Sequence, residues 1–163
     1  MNDSNATDRN IEQFLTFELA GDAYALSILK VQEIRGWEPV RKLPDTPAFV
    51  VGALNLRGMI VPVVDLRIRF GIERAEYTPT TVVIVACVET AAHDQVVMGV
   101  IADAVSDVLD VDPADIKPAP NLGARIDTRY MRGIYVAKQH MVMVLNVDKL
   151  LDPEEFVGLG AAS

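Results

Sequence analysis

The sequence is short of several features that whole classes of protein require. Cys87 is the only cysteine among 163 residues, so an internal disulfide is impossible and a reducing compartment is expected. The 15 Lys and Arg residues are outnumbered by 23 Asp and Glu, and the formal net charge of −8 disfavours contact with a nucleic-acid backbone. No apolar run reaches the roughly 18 residues of a membrane-spanning helix. We therefore expect a cytoplasmic protein that binds no nucleic acid and meets a membrane only through a partner.

The residue patterns of catalysis and metal binding are also missing. Neither His93 nor His140 has a second histidine or a cysteine at the spacing of metal ligands, so both are interpreted as solvated turn residues. Cys87 lies within an apolar run and is predicted to be a small core residue. Nucleophile-elbow, Walker-type and dinucleotide-binding motifs do not occur. The chain is therefore predicted not to be an enzyme and to carry no catalytic residue, metal or cofactor.

The sequence does contain an internal repeat of one apolar hairpin pattern. Residues 52–66 (GALNLRGMIVPVVDL) align without a gap to residues 133–147 (GIYVAKQHMVMVLNV), at an offset of 81. Residues 25–35 align to residues 99–109 at an offset of 74, which leaves seven extra residues in the Pro-rich connection of the second copy. The duplication predicts a module of two similar halves. The alternative is that any two apolar hairpins look alike.

The local pattern predicts an all-β chain. β-Branched and apolar residues alternate in short runs, and Asp65 and Asn146 are placed to cap two short helices. Gly58 can supply the positive φ that the first hairpin turn needs. Pro62 cannot donate to a ladder, so its strand is expected at a sheet edge or bulged there. Two all-β halves of this size favour small closed barrels that pack together, because closure removes exposed strand edges.

Two groups of residues are candidates for a binding surface. In the run VQEIRGW, Val31, Glu33 and Arg35 share one face, which is either a binding surface or a half-exposed strand beside a packed Trp37. Arg57, at the tip of the first hairpin, is either a solvated turn charge or an interface residue, since arginine is enriched at interfaces. We hypothesise that Glu33 and Arg57 form an ion pair.

Several of these stretches together resemble one protein family. They are ILKVQEIRGW (28–37), TPAFVVGALNLRGMIVPVVDLRIRF (46–70), VSDVL (105–109) and IKPAP (116–120). They resemble the CheW family of bacterial chemotaxis coupling proteins. The resemblance implies a fold of two small, pseudo-symmetric five-stranded β-barrels with short helices.

The resemblance also implies a non-catalytic function with defined partners. A member of this family is expected to link the cytoplasmic tips of chemoreceptors to the regulatory domain of the histidine kinase CheA, and to build arrays at the inner membrane, where other copies of the chain are further partners. Val31, Glu33, Gly52 and Arg57 match the family's coupling surface, although Gly52 has the alternative of a purely backbone role. The competing functions are coupling in another chemosensory pathway, such as pilus motility, and a small-ligand-binding or enzymatic β-barrel.

The domain boundaries follow from the duplication and the resemblance. We predict a CheW-like domain over residues 13–152, with a first barrel over 13–78, a second over 79–152, and strands that can be shared between them. The polar residues 1–12 are predicted to be a disordered tail, and residues 153–163 a C-terminal tail.

Overall fold

A computed structural model describes residues 10–72, 76–119 and 128–153, and in these residues the chain is mostly β-structure. The strands are β1 (Glu12–Leu19), β2 (Asp22–Ser27), β3 (Val31–Gly36), β4 (Val50–Leu56), β5 (Met59–Asp65), β6 (Val82–Glu89), β7 (Gln95–Ala102), β8 (Ala104–Val111), β9 (Met131–Ala137) and β10 (His140–Leu145). Two short helices, α1 (Leu66–Arg69) and α2 (Val147–Leu150), follow the two hairpins. Both begin at the predicted caps, Asp65 and Asn146. The predicted tails lie outside the described residues except for 10–12 and 153.

The strands form two five-stranded sheets, as the fold prediction requires. The sheet called here the terminal sheet has the order β8-β1-β2-β10-β9, and the central sheet has the order β3-β6-β7-β5-β4. The boundary predicted after residue 78 does not separate these sheets, because β6 and β7 lie in the central sheet. That boundary separates the two sequence repeats, β1–β5 and β6–β10. Each sheet combines two strands of one repeat with three of the other, since β2 pairs in parallel with β10 and β5 with β7.

The strand register reproduces the duplication of the sequence. In the central sheet Val63 lies opposite Gly99, and in the terminal sheet Val144 lies opposite Ala25. Val63 and Val144 are 81 positions apart, and Ala25 and Gly99 are 74 apart, which are the two offsets of the alignment. One pair of equivalent bulges interrupts the β1–β8 and β3–β6 pairings. A second pair of equivalent bulges interrupts the two hairpins, β4–β5 and β9–β10. Chance similarity between apolar hairpins would not reproduce shared register and shared bulges, so the duplication is real.

Pro62 lies neither on an edge strand nor at a bulge of its own strand, so the prediction of one or the other was wrong. β5 is an inner strand that pairs with β4 along its length and with β7 from Val63 onwards. The residue opposite Pro62, Ala53, exchanges both of its backbone hydrogen bonds with Arg41 on the far side of β4 (2.7 and 3.1 Å). The Pro62–Ala53 pair is thus a non-hydrogen-bonded pair, where the missing amide hydrogen leaves no acceptor of β4 unpaired.

Three apolar cores hold the molecule together. The largest lies between the sheets and includes Phe17, Leu26, Val64 and Val100, all fully buried. A second fills the inside of the curled central sheet, and a third the inside of the terminal sheet. Because side chains alternate along a strand, each sheet faces its own interior with one side and the other sheet with the second.

The sheets are strongly curled, but the described strands do not form the predicted closed barrels. No ladder joins β3 to β4 or β8 to β9 in the part of the chain that the structure describes. Instead, one bridge per sheet, Arg41 with Ala53 and Lys117 with Ile134, ties the segment after the edge strand to the opposite edge. Prolines punctuate both segments, and they cannot donate to a continuing ladder. None of the described helices is long and apolar enough to cross a membrane.

Candidate partner-binding surface

Strand β3 forms one edge of the central sheet and presents two different faces. Among the described strands it pairs with β6 alone. Val31, Glu33 and Arg35 are partly buried, and Gln32 and Ile34 are exposed. Glu33 and Arg35 lie opposite β6 residues that face the inside of the central sheet, so these two share a face as predicted. A bulge between Val31 and Glu33 turns Val31 to the opposite face, where it packs against the core between the sheets, so the prediction that Val31 shares the face of Glu33 was wrong.

Glu33 and Arg57 form the ion pair that the sequence suggested. The Arg57 Nη2 donates to Glu33 Oε1 at 2.9 Å, while Arg35 Nε lies 3.9 Å from the other carboxylate oxygen. Glu33 belongs to one edge strand and Arg57 to the hairpin at the opposite edge, so the contact spans the opening of the curled sheet. The Arg57 side chain is 76% exposed. An exposed pair stabilises a fold by only about 0.2–1 kcal/mol, which leaves most of the Arg57 donor capacity for other contacts.

The hairpin tip that carries Arg57 is a tight two-residue turn. Arg57 and Gly58 both have positive φ, 51° and 89°, as a type I′ turn requires. The side chain of Asn55 accepts a hydrogen bond from the Gly58 amide at 2.8 Å. Asn55 was not among the predicted site residues. Its signal in the sequence is an asparagine at the start of a turn, a position where this side chain bonds the backbone further on.

Gly52 is buried, and the backbone requires a glycine at this position. It is buried in β4 with φ of 156°, and a Cβ built on it would overlap the carbonyl oxygen of Arg41. That carbonyl accepts the Ala53 amide, so the close approach belongs to the bridge that completes the curl. The structure thus brings Glu33 and Arg57 together, turns Val31 to the core between the sheets, and leaves Gly52 buried.

Exposed apolar residues lie near Glu33 and Arg57 in the chain, and sequence reasoning did not select them. Met59 and Ile60 follow Arg57 in the hairpin, and Ile60 is 62% exposed. Leu29, 87% exposed, lies in a 3₁₀ turn before β3. The turn is held by the Lys30–Asp148 ion pair (2.9 Å). A large apolar side chain held in solvent by a fixed turn is a recognisable feature of interaction surfaces.

The residues considered for chemistry occupy structural positions. Cys87 was predicted to be a core residue, but it is only partly buried because it lies near the exposed end of β6. Its Sγ donates to Gln95 Oε1 at 3.2 Å. His93 and His140 are exposed, and the His93 Nδ1 lies 3.9 Å from a carboxylate oxygen of Glu89. Among the described residues, no three His, Cys, Asp or Glu side chains come together as a metal site would require.

A buried ionic network lies away from this surface. Arg67, 2% exposed, donates to both carboxylate oxygens of Asp65 and to Asp103 (2.7 Å). Burial alone would lower the pKa of Arg67, but the hydrogen bonds and charges of the two carboxylates outweigh it and raise the pKa. Burial, followed by the Asp65 charge, raises the pKa of the Tyr77 hydroxyl. Asp103 also accepts the Ala20 amide at 2.7 Å, so the network joins turns of both sheets.

Comparison with known proteins decides the family. A family model described as the CheW-like domain matches residues 13–155. The chain belongs to the CheW-like family. The chemotaxis protein CheW of Klebsiella aerogenes is 40% identical over 144 residues, covering 88% of this chain and 84% of the relative. Protein FrzA of Myxococcus xanthus is 30% identical over 148 residues, covering 90% of this chain and 89% of FrzA.

A solved CheW structure shares the fold. The scaffolding protein TtCheW from Thermoanaerobacter tengcongensis matches with a TM-score of 0.76 and 32% identity, over 87% of this chain and 88% of TtCheW. The CheW-like family consists of non-catalytic scaffold proteins of chemotaxis, so the prediction that this chain is not an enzyme is confirmed. The family prediction from the β3 and hairpin motifs is confirmed as well.

Proposed function

We propose that this chain couples the cytoplasmic tips of chemoreceptors to the regulatory domain of the histidine kinase CheA. One observation carries the proposal: an exposed, preorganised Arg57–Glu33 pair lies among exposed apolar side chains at the open edge of the central sheet. Its place of action is the cytoplasmic side of the inner membrane, in receptor arrays. Membership of a chemotaxis scaffold family supports this assignment.

The chemistry of the surface suits a modest but specific protein contact. Arg57 offers donors in a rigid planar group, and Met59 and Ile60 offer apolar area beside it. Glu33 holds the guanidinium in place before a partner arrives, which lowers the ordering cost of binding. A contact of this kind mainly sets specificity and register, and its area is expected near or below about 1,200 Å².

The duplicated fold suggests how several weak contacts add up. The ends of the two curled sheets are pseudo-equivalent, so a homologous partner can meet each end in a head-to-tail manner, and such contacts can close into rings. A surface groove at the junction of the sheets, lined by Glu89, Tyr130 and Asp148 among others, suits a helical receptor tip. Further copies of this chain are candidate ring members. Array strength then comes from linked sites and not from one tight interface.

A second candidate is coupling within a chemosensory pathway other than flagellar chemotaxis. The match to FrzA, a relative not named for chemotaxis, favours keeping this candidate. Both candidates use the same kind of surface, and they differ only in which receptor and kinase bind.

Binding of purified partners tests the proposal. We expect the full chain to bind both a receptor cytoplasmic fragment and a CheA regulatory domain in one pull-down. Arg57→Ala is expected to weaken one of these interactions about 10-fold or more, as arginine hot spots do. The matched control is Lys149→Ala, which removes an exposed cation on α2. Circular dichroism should show both variants folded. A wild-type chain that binds neither partner would overturn the proposal.

A further inference from the structure

The two curled sheets differ at the ends that carry their hairpin tips. The central sheet is packed there, whereas the terminal sheet has an open cavity of about 720 Å³. Its wall is formed by residues of β1, β2, β8, β9 and β10, among them Thr16, Ala23, Leu109, Ala137 and Val142. Because the sheets are duplicates, each wall position has a counterpart in the central sheet whose contents can be compared.

Smaller side chains at equivalent positions account for the cavity. Leu56, Val97 and Val85 pack inside the central sheet, and Leu56 is only 3% exposed. Their counterparts in the terminal sheet are Ala137, Ala23 and Thr16. The Thr16 hydroxyl forms two hydrogen bonds with the backbone of the neighbouring β8 strand, at 2.9 and 3.0 Å. The space that Leu56 fills in one copy is therefore empty in the other.

The ion pair is also missing from the second copy. Asp107 and Lys138 occupy the positions of Glu33 and Arg57, but no ion pair within 4 Å joins these two described residues. In the described part of the chain, the Asp107 carboxylate receives one hydrogen bond, from the adjacent Val108 amide at 3.0 Å. An aspartate is one methylene shorter than a glutamate, and a lysine lacks the planar fork of arginine.

The terminal sheet is clasped at its other end instead. Arg132 donates to both carboxylate oxygens of Glu12 at 3.0 Å, and these residues lie at the ends of β9 and β1 farthest from the Lys138 turn. The cavity end therefore stays open without loss of the curl. Its rim carries Glu18 and Asp22 in addition to Asp107, so acidic groups outnumber Lys138 there.

We propose that this cavity is a recognition site for an arginine side chain of a partner protein, together with an aliphatic residue beside it. In the central sheet the equivalent space is filled by the protein's own residues. The guanidinium of Arg57 bonds to Glu33, and Leu56 packs below it. A partner's Leu-Arg pair would supply both missing groups, the apolar volume against Ala137 and Ala23 and the cation for Asp107. The site lies at the end of the terminal sheet, one of the two ends to which the proposed function assigns partner contacts, so this inference rests on that proposal and specifies the chemistry of that end.

The charges and walls argue against other ligand classes. An anion would face three carboxylates at the rim, and like charges at short range are destabilising. A purely apolar side chain would pack against the cavity wall, but it would remove water from the Asp107 carboxylate without giving that carboxylate a hydrogen-bond partner. A guanidinium with an aliphatic neighbour meets both requirements, because charge-assisted hydrogen bonds to carboxylates are the stronger ones.

Binding of a short peptide to the full-length chain tests the site. The probe is acetyl-Asn-Leu-Arg-Gly-amide, and the control peptide carries citrulline in place of arginine, which keeps the shape and removes the charge. In ¹⁵N NMR titrations we expect the amides of Ala23, Asp107 and Ala137 to shift with the arginine peptide. The citrulline peptide should bind at least about 10-fold more weakly, which is the loss typical of one charge-assisted hydrogen bond.

Two variants separate the cavity from a general charge effect. Asp107→Asn should weaken arginine-peptide binding about 10-fold. Ala137→Leu should abolish binding by placing in the cavity the side chain that the central sheet has at the same position, which is why the variant is expected to fold. Shifts confined to the central sheet, or binding that survives both variants, would overturn the site. The peptide titration reports on the cavity alone and the pull-down reports on the proposed function, so a failure of one is distinguishable from a failure of the other.

Discussion

At the scale of single residues, some equivalent positions keep one role in both copies and others do not. Gly52 and Gly133 occupy equivalent bulges, and a Cβ on either would overlap the carbonyl of the bridging residue, Arg41 or Lys117. Both glycines are therefore needed by the backbone. Arg57 and Lys138 share a turn position, yet only Arg57 has an ion-pair partner within the described residues. A match to a family motif does not distinguish these two kinds of role.

Gly52→Ala is expected to destabilise the fold without touching the partner surface. The added methyl group must displace the Arg41 carbonyl or force a positive φ on alanine, and we expect a loss of about 2 kcal/mol or more. Urea unfolding measures this loss. Gly36→Ala is the matched control, because nothing lies within 4 Å of the position of its Cβ. Equal stability of the two variants would show that the close approach is wrongly assigned.

At the scale of elements, the two hairpins are the same structure built from different turn residues. The first turn uses Arg57-Gly58, and the second uses Lys138-Gln139, with φ of 49° and 70°. A non-glycine residue in the left-handed region is disfavoured by about 1–2 kcal/mol. The second hairpin therefore forms although its tip is strained, because the ladder between β9 and β10 and the packing of Val142 and Val144 hold it.

Gln139→Gly is expected to stabilise the protein by about 0.5–1 kcal/mol, since it removes the strain at a modest cost in chain entropy. Thermal unfolding should show a higher midpoint. Gly58→Ala in the first hairpin is the reciprocal control and should be destabilising by a similar amount. No atom lies within 4 Å of a Cβ at Gly58, so only the backbone conformation changes there. A lower midpoint for Gln139→Gly would argue that the glutamine side chain stabilises the turn.

At the scale of the whole molecule, ionic contacts join residues that are far apart in the sequence. The Glu12–Arg132 pair spans the terminal sheet, the Glu33–Arg57 pair spans the central sheet, and the Arg67 network joins the two. Hydrogen bonds from Arg132 come first among the effects on Glu12, and they outweigh burial and lower the pKa of its carboxyl below its usual value near 4.5. The same contact raises the pKa of Arg132.

The lowered pKa of Glu12 predicts an acid dependence of stability. A depressed carboxyl pKa stabilises the fold at pH values above about 4.5, and this contribution disappears as the pH falls through the lower, folded-state pKa. Glu12→Gln should therefore lower the free energy of unfolding at pH 7, by less than about 1 kcal/mol for a partly exposed pair, and the difference should vanish near pH 2. Denaturant titrations at several pH values measure it. Glu38→Gln, outside any ion pair in the described residues, is the control and should show no such trend.

Much of the fold and part of the site could be predicted from local pattern. The hairpin turns and the caps Asp65 and Asn146 depend on residues close in the chain, and they were predicted correctly. The shared face of β3 was predicted correctly for Glu33 and Arg35 but not for Val31, because simple alternation does not foresee a bulge. The Glu33–Arg57 pair was hypothesised from the types and positions of two residues. The exposed Leu29 and Ile60 were not selected, because an apolar residue in a short run looks the same in sequence whether it is buried or exposed.

By itself, the sequence determined the duplicated unit, its β-structure and its family, because repeat offsets, turn residues and motifs are local properties. Only the tertiary structure decided which strands share a sheet. Two sheets can be assembled from β1–β5 and β6–β10 separately or by exchange of strands between the repeats, and both arrangements form similar ladders from the same residues. The exchange is selected by packing in the core between the sheets, where strands of both repeats meet. Packing likewise decided that one curled sheet is filled and the other holds a cavity.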